Sequence, residues 1–409
     1  MEQAYERFLR YIAIDTTSDE QFPSCPSTPG QLELARLLAD EMRQMGVSNV
    51  RLDEFGYVYG FVPASPGRED DPVIGLISHM DTSNAMPGAN IKPRIVKNYD
   101  GGVIVLNEEK GVALSPAEFD FLPQYAGKDL IVTDGTTLLG ADDKAGIAEI
   151  LTAAQQLLAP GAPSHGPFAI AFTPDEEIGR GADHFDVAGF GAAYAYTLDG
   201  GAVGEIEYET FNAAAGRVVV HGVSIHPGSA RGKMKNSILM GMEFQQLLPV
   251  FENPACTDGY EGFFHLTGMS GNEERTELHY IIRDHDREKF NRRKALFEAA
   301  GRFMNEKYGL GTVELTVTDT YYNMQEVLKD RMDVVDRARR AMEACGITPV
   351  SMPVRGGTDG SRLSFMGLPC PNLFTGGHNG HGRHELVCMQ SMDTAVQVIK
   401  QLLTMPHEE

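Results

Sequence analysis

The chain has 409 residues, of which 42% are hydrophobic and 22% are charged, a composition typical of a globular protein and not of a disordered one. A chain of this length exceeds what one hydrophobic core usually serves, so we expect two domains. The formal net charge of -22 argues against nucleic acids and anionic membrane surfaces as partners, because both attract basic patches.

Cysteine usage and the absence of long apolar segments indicate where the protein resides. The five cysteines are odd in number and form no CxxC pair, which favours neither a disulfide framework nor a cysteine zinc site. The first residues carry acids and lack a continuous apolar segment, and no apolar run approaches the ~20 residues needed to cross a bilayer. We therefore expect an unexported, cytoplasmic protein.

Hydrophobic spacing predicts alternating helices and strands in the first half of the chain. Helical spacing surrounds Phe8 and again Leu38, and the second helix is predicted to end near Gly46. Short apolar runs predict buried strands at residues 73–77, 168–172 and 194–198, and a helix at 144–158 separates the first two. This alternation is typical of an α/β fold with a buried sheet.

The pattern changes from about Phe211 and returns near the C-terminal part. The middle block predicts a small α+β unit with strands at 217–220, 276–282 and 311–317 and helices at 236–248 and 287–308. A helix at 331–345, a strand at 349–354 and a helix at 392–403 then resume the first pattern. We therefore predict a catalytic domain made of residues 1–209 and 323–409, interrupted by an inserted domain at 210–322.

Scattered residues of metal-ligand type lie at the ends of predicted strands or beside glycine turns: His79, Asp142, Glu177, Asp199 and His381. Imidazole and carboxylate together suit zinc-like ions, and one carboxylate can bridge two of them. Strand ends that are far apart in the chain can converge at one edge of an α/β sheet, where ligands usually bind. Metal-assisted hydrolysis is therefore the first hypothesis.

Each of these residues also has an ordinary structural interpretation. His79 and Asp81 lie in HMDT, where Asp81 can accept the second ring N–H of a ligating histidine, or where both simply end a strand. Asp142 and Asp143 in GADDKAG can ligate a metal and support the site, or cap the helix that follows. Asp199 in YTLDGG can lie in an Asp-Gly turn.

The pair Glu176 and Glu177 in TPDEEIGRGA is informative because adjacent side chains usually diverge. Divergence lets Glu177 bind a metal while Glu176 faces the attacking water as general base, although an exposed acidic loop is the alternative. In GGHNGHGRHE the three histidines His378, His381 and His384 share a glycine-rich loop. Spacing alone does not decide which of them is a ligand.

Taken together, the motifs carry a family resemblance. HMDT, GADDKAG, TPDEEIGRGA, TLDGG, IHPGSARGKMKNSI, RGGTDGS and HGRHE, in this order, resemble the M20 metallopeptidases, most closely those that act as tripeptide aminopeptidases. The similarity covers essentially the whole chain. It implies a zinc-exopeptidase-like catalytic domain with a central mixed sheet, an inserted α+β lid or dimerisation domain, a homodimer formed through that lid, and a small peptide as substrate.

The same resemblance implies two zinc ions per subunit, although other divalent metals would suit similar ligands. His79, Asp142 and Asp199 would hold one ion, and Asp142, Glu177 and His381 the other, with Asp142 as the bridge. A bridging hydroxide would attack the N-terminal peptide bond of a tripeptide, with Glu176 as general base and acid and Asp81 supporting the site. The resemblance also implies a cis peptide bond between Asp142 and Asp143.

Four residues are predicted to bind substrate. By resemblance, His226 in IHPGSARGKMKNSI can approach the partner subunit's active site and hydrogen-bond the oxyanion, whereas a turn histidine before Pro227 is the alternative. Arg283 and Arg355 are candidates for clamping a substrate carboxylate, because guanidinium offers a matching fork, although both can be solvent-exposed arginines. Asn236 is a weaker candidate.

Two other functions remain open at this point. The same site can serve another M20-type amidohydrolase, such as a dipeptidase, a carboxypeptidase or an N-acyl amino acid deacylase, because function depends on the pocket. A non-catalytic metal-binding protein is the second alternative. Glu176 beside Glu177 argues against it, since metal binding needs only one of the two.

Overall fold

The computed structural model describes residues 1–407, which form two compact units. The first unit comprises Met1–Tyr208, Glu326–Met352 and the chain from Thr358 onward. The second comprises Glu209–Gln325 and the short segment Pro353–Gly357. The predicted insertion at 210–322 thus lies within the second unit, which also takes Arg355 from the later part of the chain. The functional names catalytic domain and lid stay predictions.

The helices are described in chain order. They are α1 (Ala4–Tyr11), α2 (Pro29–Met45), α3 (Ala141–Leu157), α4 (Val187–Phe190), α5 (Ser237–Gln246), α6 (Arg287–Tyr308), α7 (Gln325–Leu328), α8 (Met332–Ala344), α9 (Asp359–Phe365) and α10 (Met389–Thr404). Short 3₁₀ helices occupy Leu122–Tyr125, Glu176–Ile178 and Pro227–Ser229. Among the described residues 1–407, no helix is long and apolar enough to span a membrane.

The strands follow the same numbering. They are β1 (Ser48–Leu52), β2 (Val58–Val62), β3 (Ile74–His79), β4 (Arg94–Val96), β5 (Ile104–Asn107), β6 (Val112–Leu114), β7 (Leu130–Val132), β8 (Phe168–Thr173), β9 (Tyr194–Gly200), β10 (Glu205–Glu207), β11 (Asn212–His221), β12 (Phe263–Gly271), β13 (Arg275–Asp284), β14 (Val313–Tyr321), β15 (Val350–Ser351), β16 (Asn372–Phe374), β17 (Gly377–His378) and β18 (Leu386–Cys388).

An eight-stranded mixed sheet runs through the first unit in the order β1-β2-β8-β3-β9-β16-β10-β15. Its four central strands, β8, β3, β9 and β16, are mutually parallel. In their register His79 lies opposite Thr173, and Ile77 lies opposite Thr197. The chain therefore leaves β3, β8 and β9 at one edge of the sheet, where bound ligands are expected. The predicted α/β class with a mixed sheet is confirmed.

Two smaller sheets complete the strand pairing of the first unit. One pairs β17-β18-β7-β4, and within it Leu386 lies opposite Val132. The other is the hairpin of β5 and β6. The pairing of β18 with β7 brings the segment after His381 beside the segment that leads to Asp142.

Helices cover the central sheet because their apolar faces match its buried strands. In α2 the side chains of Leu34, Leu38 and Met42 are fully buried at helical spacing. Burial of each such side chain stabilises the fold by about 1.5–3 kcal/mol. Gly46 ends α2 in the left-handed conformation at φ 87°, as predicted from the sequence.

The second unit is an α+β structure with its own core. Its antiparallel sheet has the order β12-β13-β11-β14, and α5 and α6 pack against it. Phe244 of α5 and Phe297 of α6 meet Tyr280 of β13 with ring centroids 5.0–6.0 Å apart. Edge-to-face contacts of this kind add to the apolar burial.

Three predictions from the sequence need comment. The strand predicted at 349–354 is reduced to Val350–Ser351, because Val354 leaves the first unit and donates its N–H to Glu209 O at 2.9 Å. All five cysteines are free thiols within the described residues. The sequence likewise favoured no disulfide framework. The cytoplasmic location stays a prediction.

We predict that Gly146→Ala destabilises the first unit. A methyl carbon at this position in α3 would lie 2.1 Å from Leu198 O and 2.6 Å from Ser78 Oγ, so α3 would be pushed away from the sheet. Overpacking of this kind should lower the free energy of unfolding by about 1–3 kcal/mol in a urea titration. Gly268→Ala, whose nearest neighbour would be 3.9 Å away, is the control; equal effects of the two changes would contradict the close packing.

Candidate metal centre

Two histidine nitrogens face carboxylate oxygens at the edge of the central sheet. His79 Nε2 lies 3.0 Å from Asp142 Oδ1 and 3.4 Å from Asp199 Oδ1. His381 Nε2 lies 2.9 Å from both Asp142 Oδ2 and Glu177 Oε2. The structure thus brings all five predicted ligands together, in two groups that share Asp142 through its two different oxygens.

The donor atoms fit divalent ions of the zinc type. Ligand atoms at 2.0–2.1 Å from a tetrahedral ion are about 3.3 Å apart, close to the spacings around each histidine nitrogen. Donor atoms of His79, Asp142 and Glu177 lie within 4.8 Å of one another, and so do those of His79, Glu176 and Asp199. Glu177 Oε1 is buried without a hydrogen-bond partner among residues 1–407, so it is available as a ligand atom. Imidazole and carboxylate donors suit zinc.

The pKa values of the site reflect crowded buried charge. Burial raises the pKa of Glu176 well above its usual value and that of Glu177 to about 7. Hydrogen bonds to Asp142 and Glu177 raise the pKa of His381 to about 11. Burial also raises the pKa of Asp142, but hydrogen bonds from the two histidines outweigh it and the net pKa is lowered. A cation among these groups would be favoured electrostatically.

Local backbone geometry aims the ligands. The peptide bond between Asp142 and Asp143 is cis, as the family resemblance implies. His381 adopts a left-handed conformation with φ 61°, and so does Asp175 with φ 58° just before Glu176. Such backbone is uncommon for residues other than glycine, and here it directs loop side chains into the cluster.

Four of the five predicted ligands are held through their own backbone N–H by a side chain from another segment. His79 N–H donates to Asp143 Oδ2 at 3.1 Å, and Glu177 N–H donates to Asp81 Oδ2 at 3.1 Å. The corresponding bonds of the other two are Asp142 N–H to Glu385 Oε1 at 3.1 Å and Asp199 N–H to Asn372 Oδ1 at 3.1 Å. These four acceptors fix the segments that carry the predicted ligands relative to one another.

Asp81 lies beside His79 and also contacts the Glu176–Glu177 turn, while its predicted supporting role stays a prediction. Its Oδ1 accepts the N–H of Glu176 at 2.9 Å, and His79 Nδ1 lies 3.1 Å from Asp81 O. His79 can therefore donate its Nδ1 proton to the Asp81 carbonyl and direct Nε2 to the cluster. Asp81 thus links the positions of His79, Glu176 and Glu177.

Comparison with known proteins identifies the family. The sequence pattern described as Peptidase family M20/M25/M40 matches residues 118–405. Peptidase T of Alkaliphilus oremlandii is 52% identical over 404 residues, which cover 98% of this chain and 99% of that protein. The chain belongs to the M20/M25/M40 peptidase family. The resemblance predicted from the motifs is confirmed, and the chain is an enzyme, a peptidase.

Solved structures share the fold of this M20 peptidase. Aminopeptidase PepT from Bacillus cereus superposes with a TM-score of 0.77 at 23% identity, covering 98% of this chain and 97% of that chain. A tripeptidase from Staphylococcus aureus superposes with a TM-score of 0.78 at 20% identity, with the same coverage.

The structure distinguishes the three histidines of the C-terminal loop. His378 turns away from the cluster: its Nε2 lies 2.6 Å from Tyr125 Oη, and its ring stacks on Phe121 with centroids 4.1 Å apart. The ring of His384 lies against Phe119 at 5.1 Å. His381 is the member of the three that faces the carboxylates.

Several residues of the site were not predicted from the sequence. Glu385, Asn372 and Asp175 hold the ligand-bearing segments, and Asp175 binds Ser27 Oγ at 2.5 Å and Gln31 Nε2 at 2.7 Å. Asp359 accepts from Thr173 Oγ1 at 2.7 Å, and burial raises its pKa to about 7. The three acids Asp175, Asp359 and Glu385 belong to the motifs TPDEE, RGGTDGS and HGRHE. Their place in these motifs was the sequence signal that could have identified them.

A cavity of about 430 Å³ adjoins the cluster within the first unit. Asp142 and Asp199 form part of its wall, and Phe121 and His378 form another part. Among the described lining residues there is no lysine or arginine, whereas Glu205 adds a further carboxylate. The cavity is acidic and one side of it is aromatic.

The four predicted substrate-binding residues lie in the second unit. His226 precedes the 3₁₀ helix Pro227–Ser229, and its Nδ1 accepts the Gly228 N–H at 3.2 Å. Asn236 caps α5, accepting from the N–H groups of Ile238 and Leu239. Arg355 donates to Gly259 O, Glu261 O and Thr257 Oγ1 at 2.8–2.9 Å.

Arg283 has weaker internal contacts. Its Nη1 donates to Ala214 O and Ile282 O at 3.2–3.3 Å, and its guanidinium lies 5.3 Å from the centroid of the Tyr321 ring. The roles of Arg283, Arg355, His226 and Asn236 in substrate binding stay predictions.

We predict a distinct pH dependence for His378→Gln. Burial lowers the pKa of His378 to about 4, below the value of about 6.5 expected in the unfolded chain. Well above pH 6.5 the His378 imidazole is neutral in both the folded and the unfolded chain. Between pH 6.5 and 4 it gains a proton in the unfolded chain alone. The wild-type chain should therefore lose up to about 3 kcal/mol more stability across this window than the variant. Urea titrations at several pH values measure the difference; parallel curves would contradict it.

Proposed function

We propose that the chain is a di-zinc aminopeptidase that hydrolyses the N-terminal peptide bond of tripeptides. The observation that carries the proposal is the convergence of His79 and His381 on the two oxygens of Asp142, with Glu176 beside the cluster. The names of similar proteins support the substrate: peptidase T, aminopeptidase PepT and a tripeptidase.

The ligand sets follow the two groups around the histidines. His79, Asp142 and Asp199 would hold one ion, and Asp142, Glu177 and His381 the other. When bound, such a metal pair polarises a carbonyl and makes water acidic enough to supply hydroxide near neutral pH. Three ligand carboxylates offset three of the four positive charges of two such ions, so the donor set suits a pair.

Glu176 is the residue that makes this arrangement catalytic in our proposal. Its donor atoms lie within 4.8 Å of those of His79 and Asp199, so geometry alone gives it the position of a ligand as well as that of a base. We assign it the second role because Glu177 of the same turn already faces His381 at 2.9 Å. Glu176 would accept a proton from the attacking water and deliver it to the leaving amine.

The acidic cavity supports recognition of a free N-terminus. An ammonium group is stabilised among carboxylates, and the aromatic wall of Phe121 and His378 offers apolar contact to the first side chain. The volume of about 430 Å³ lies in the range of small-ligand pockets. An N-acylated substrate lacks the cation that such a wall favours.

The predicted substrate-binding residues belong to the second unit, and their own contacts there distinguish them. Of the two arginines, Arg283 is the stronger candidate for a carboxylate clamp, because the guanidinium of Arg355 already has three close acceptors. We assign His226 to the oxyanion and Asn236 to a minor contact. His226 would act across a homodimer formed through this unit, and exposed Leu239 and Phe251 are apolar side chains suited to such an interface.

A peptide series tests the proposed function. The zinc-loaded protein is incubated with matched di-, tri- and tetrapeptides and with N-acetylated and C-amidated tripeptides, and the products are identified by mass. We expect release of the first residue from tripeptides, strong loss of cleavage on N-acetylation, and weaker cleavage at other lengths. Cleavage that ignores N-acetylation would refute the aminopeptidase assignment, and equal rates at every length would refute the tripeptide preference.

We predict that Glu176→Gln lowers kcat by about 10²–10⁴-fold while both metal ions remain bound, because the amide cannot accept the proton from water. Kinetics on a tripeptide and metal analysis of the purified variant provide the two measurements. Glu33→Gln, at an exposed position of α2, is the matched control and should keep wild-type kcat. Undiminished turnover by the Glu176 variant would remove the proposed base, whereas loss of metal would make Glu176 a ligand.

A further inference from the structure

Glu385 lies four residues after His381 in the same motif, yet it points back to a different part of the site. It is 1% exposed, and it accepts three backbone N–H groups. Oε2 binds the N–H of Leu139 at 2.6 Å and of Gly140 at 2.9 Å, and Oε1 binds that of Asp142 at 3.1 Å. The Glu385 carboxylate therefore holds the turn that carries Asp142, the residue proposed to bind both ions.

The chemistry of this contact requires a carboxylate. The N–H groups of Leu139 and Gly140 lie just before α3, and that of Asp142 lies in its first turn, where the backbone angles of Asp142 are non-helical. Backbone donors at such a helix start have no partner within the helix and need an acceptor from elsewhere. An ionised carboxylate is acceptor-only and has enough lone pairs on two oxygens for all three donors. An amide would present donors to one of these N–H groups, and a shorter acid would not reach both ends of the turn.

The strand pairing explains how Glu385 reaches this position. It immediately precedes β18, and β18 pairs with β7, so that Leu386 lies opposite Val132. The chain that continues from β7 forms the turn at 139–142. A short segment thus supplies His381 to the cluster and, four residues later, fixes the backbone of Asp142. His381 and Asp142 are themselves 2.9 Å apart through Nε2 and Oδ2.

We propose that Glu385 is a positioning residue of the metal centre, which holds Asp142 in the place where its two oxygens meet His79 and His381; this inference rests on the two-metal site proposed above. Glu385 contacts none of the reacting atoms. It acts through Asp142, and its loss affects how tightly the pair of ions is held and how the ligands are arranged around them.

The test compares Glu385→Gln and Glu385→Asp with Glu149→Gln. Glu149 is a matched control because it is a fully buried acid of the same helix, α3, and neither of its oxygens has a hydrogen-bond partner within residues 1–407. Affinity for Zn²⁺ is measured by competition with a chelator, and ligand geometry by the visible spectrum of the Co²⁺-loaded protein. Urea unfolding with and without metal separates folding from metal binding.

We expect both Glu385 variants to bind the more weakly held ion 10–100-fold less tightly and to change the Co²⁺ spectrum, as outer contacts of metal ligands typically do. The Glu149 variant should keep wild-type affinity and spectrum. Glu385→Asp retains the negative charge, so this variant would keep wild-type affinity and spectrum if charge alone mattered. It also carries the test if Glu385→Gln does not fold.

The outcomes separate this inference from the proposed function. A folded Glu385→Asp or Glu385→Gln protein with wild-type affinity and spectrum would overturn the positioning role. Lower stability that is equal with and without metal, at unchanged affinity, would show a merely structural role and would also overturn it. A wild-type chain that binds fewer than two ions would instead refute the two-metal site itself.

Discussion

The whole site depends on buried carboxylates that accept backbone N–H groups. A free N–H or an isolated charge is costly in a protein interior, whereas a carboxylate with two or three backbone donors satisfies both needs at once. Asp81 forms this contact with two backbone donors and Glu385 with three, each from a segment other than its own. Asp143 accepts one backbone N–H, that of His79, together with the Ser78 hydroxyl. The ligand-bearing loops are therefore fixed by hydrogen bonds within the protein, and the donor atoms are arranged before any ion contributes.

These contacts connect the motifs in a definite order. HMDT supplies His79 and holds the Glu176–Glu177 turn through Asp81; GADDKAG supplies Asp142 and holds His79 through Asp143. HGRHE supplies His381 and holds Asp142 through Glu385. Each of these three motifs thus contributes one proposed ligand and one support for another motif. The acids that accompany the ligands in the sequence have this structural reason to be there.

Much of the fold could be predicted from the sequence, and so could the convergence of the five proposed ligands at one edge of the sheet. Apolar runs gave the central strands nearly to their bounds, because strands buried on both faces contain few polar residues, and α6 matched its predicted range of 287–308. The choice of His381 relied on resemblance, since His378 differs from it by contacts with Tyr125 and Phe121 that come from residues more than 250 positions earlier. Glu385 was missed because backbone N–H partners leave no trace in residue types. The reduced strand near Val350 reflects the passage of residues 353–357 into the second unit, a tertiary effect.

The long separation between HMDT and HGRHE in the chain affects the order in which the site can form. During synthesis His79 leaves the ribosome about 300 residues before His381 and Glu385, which corresponds to roughly 15–60 s of elongation. Until then Asp142 lacks His381 and the acceptor for its N–H. The nascent chain therefore carries a group of acids at one sheet edge, and the two proposed ligand sets are complete only once His381 has been synthesised.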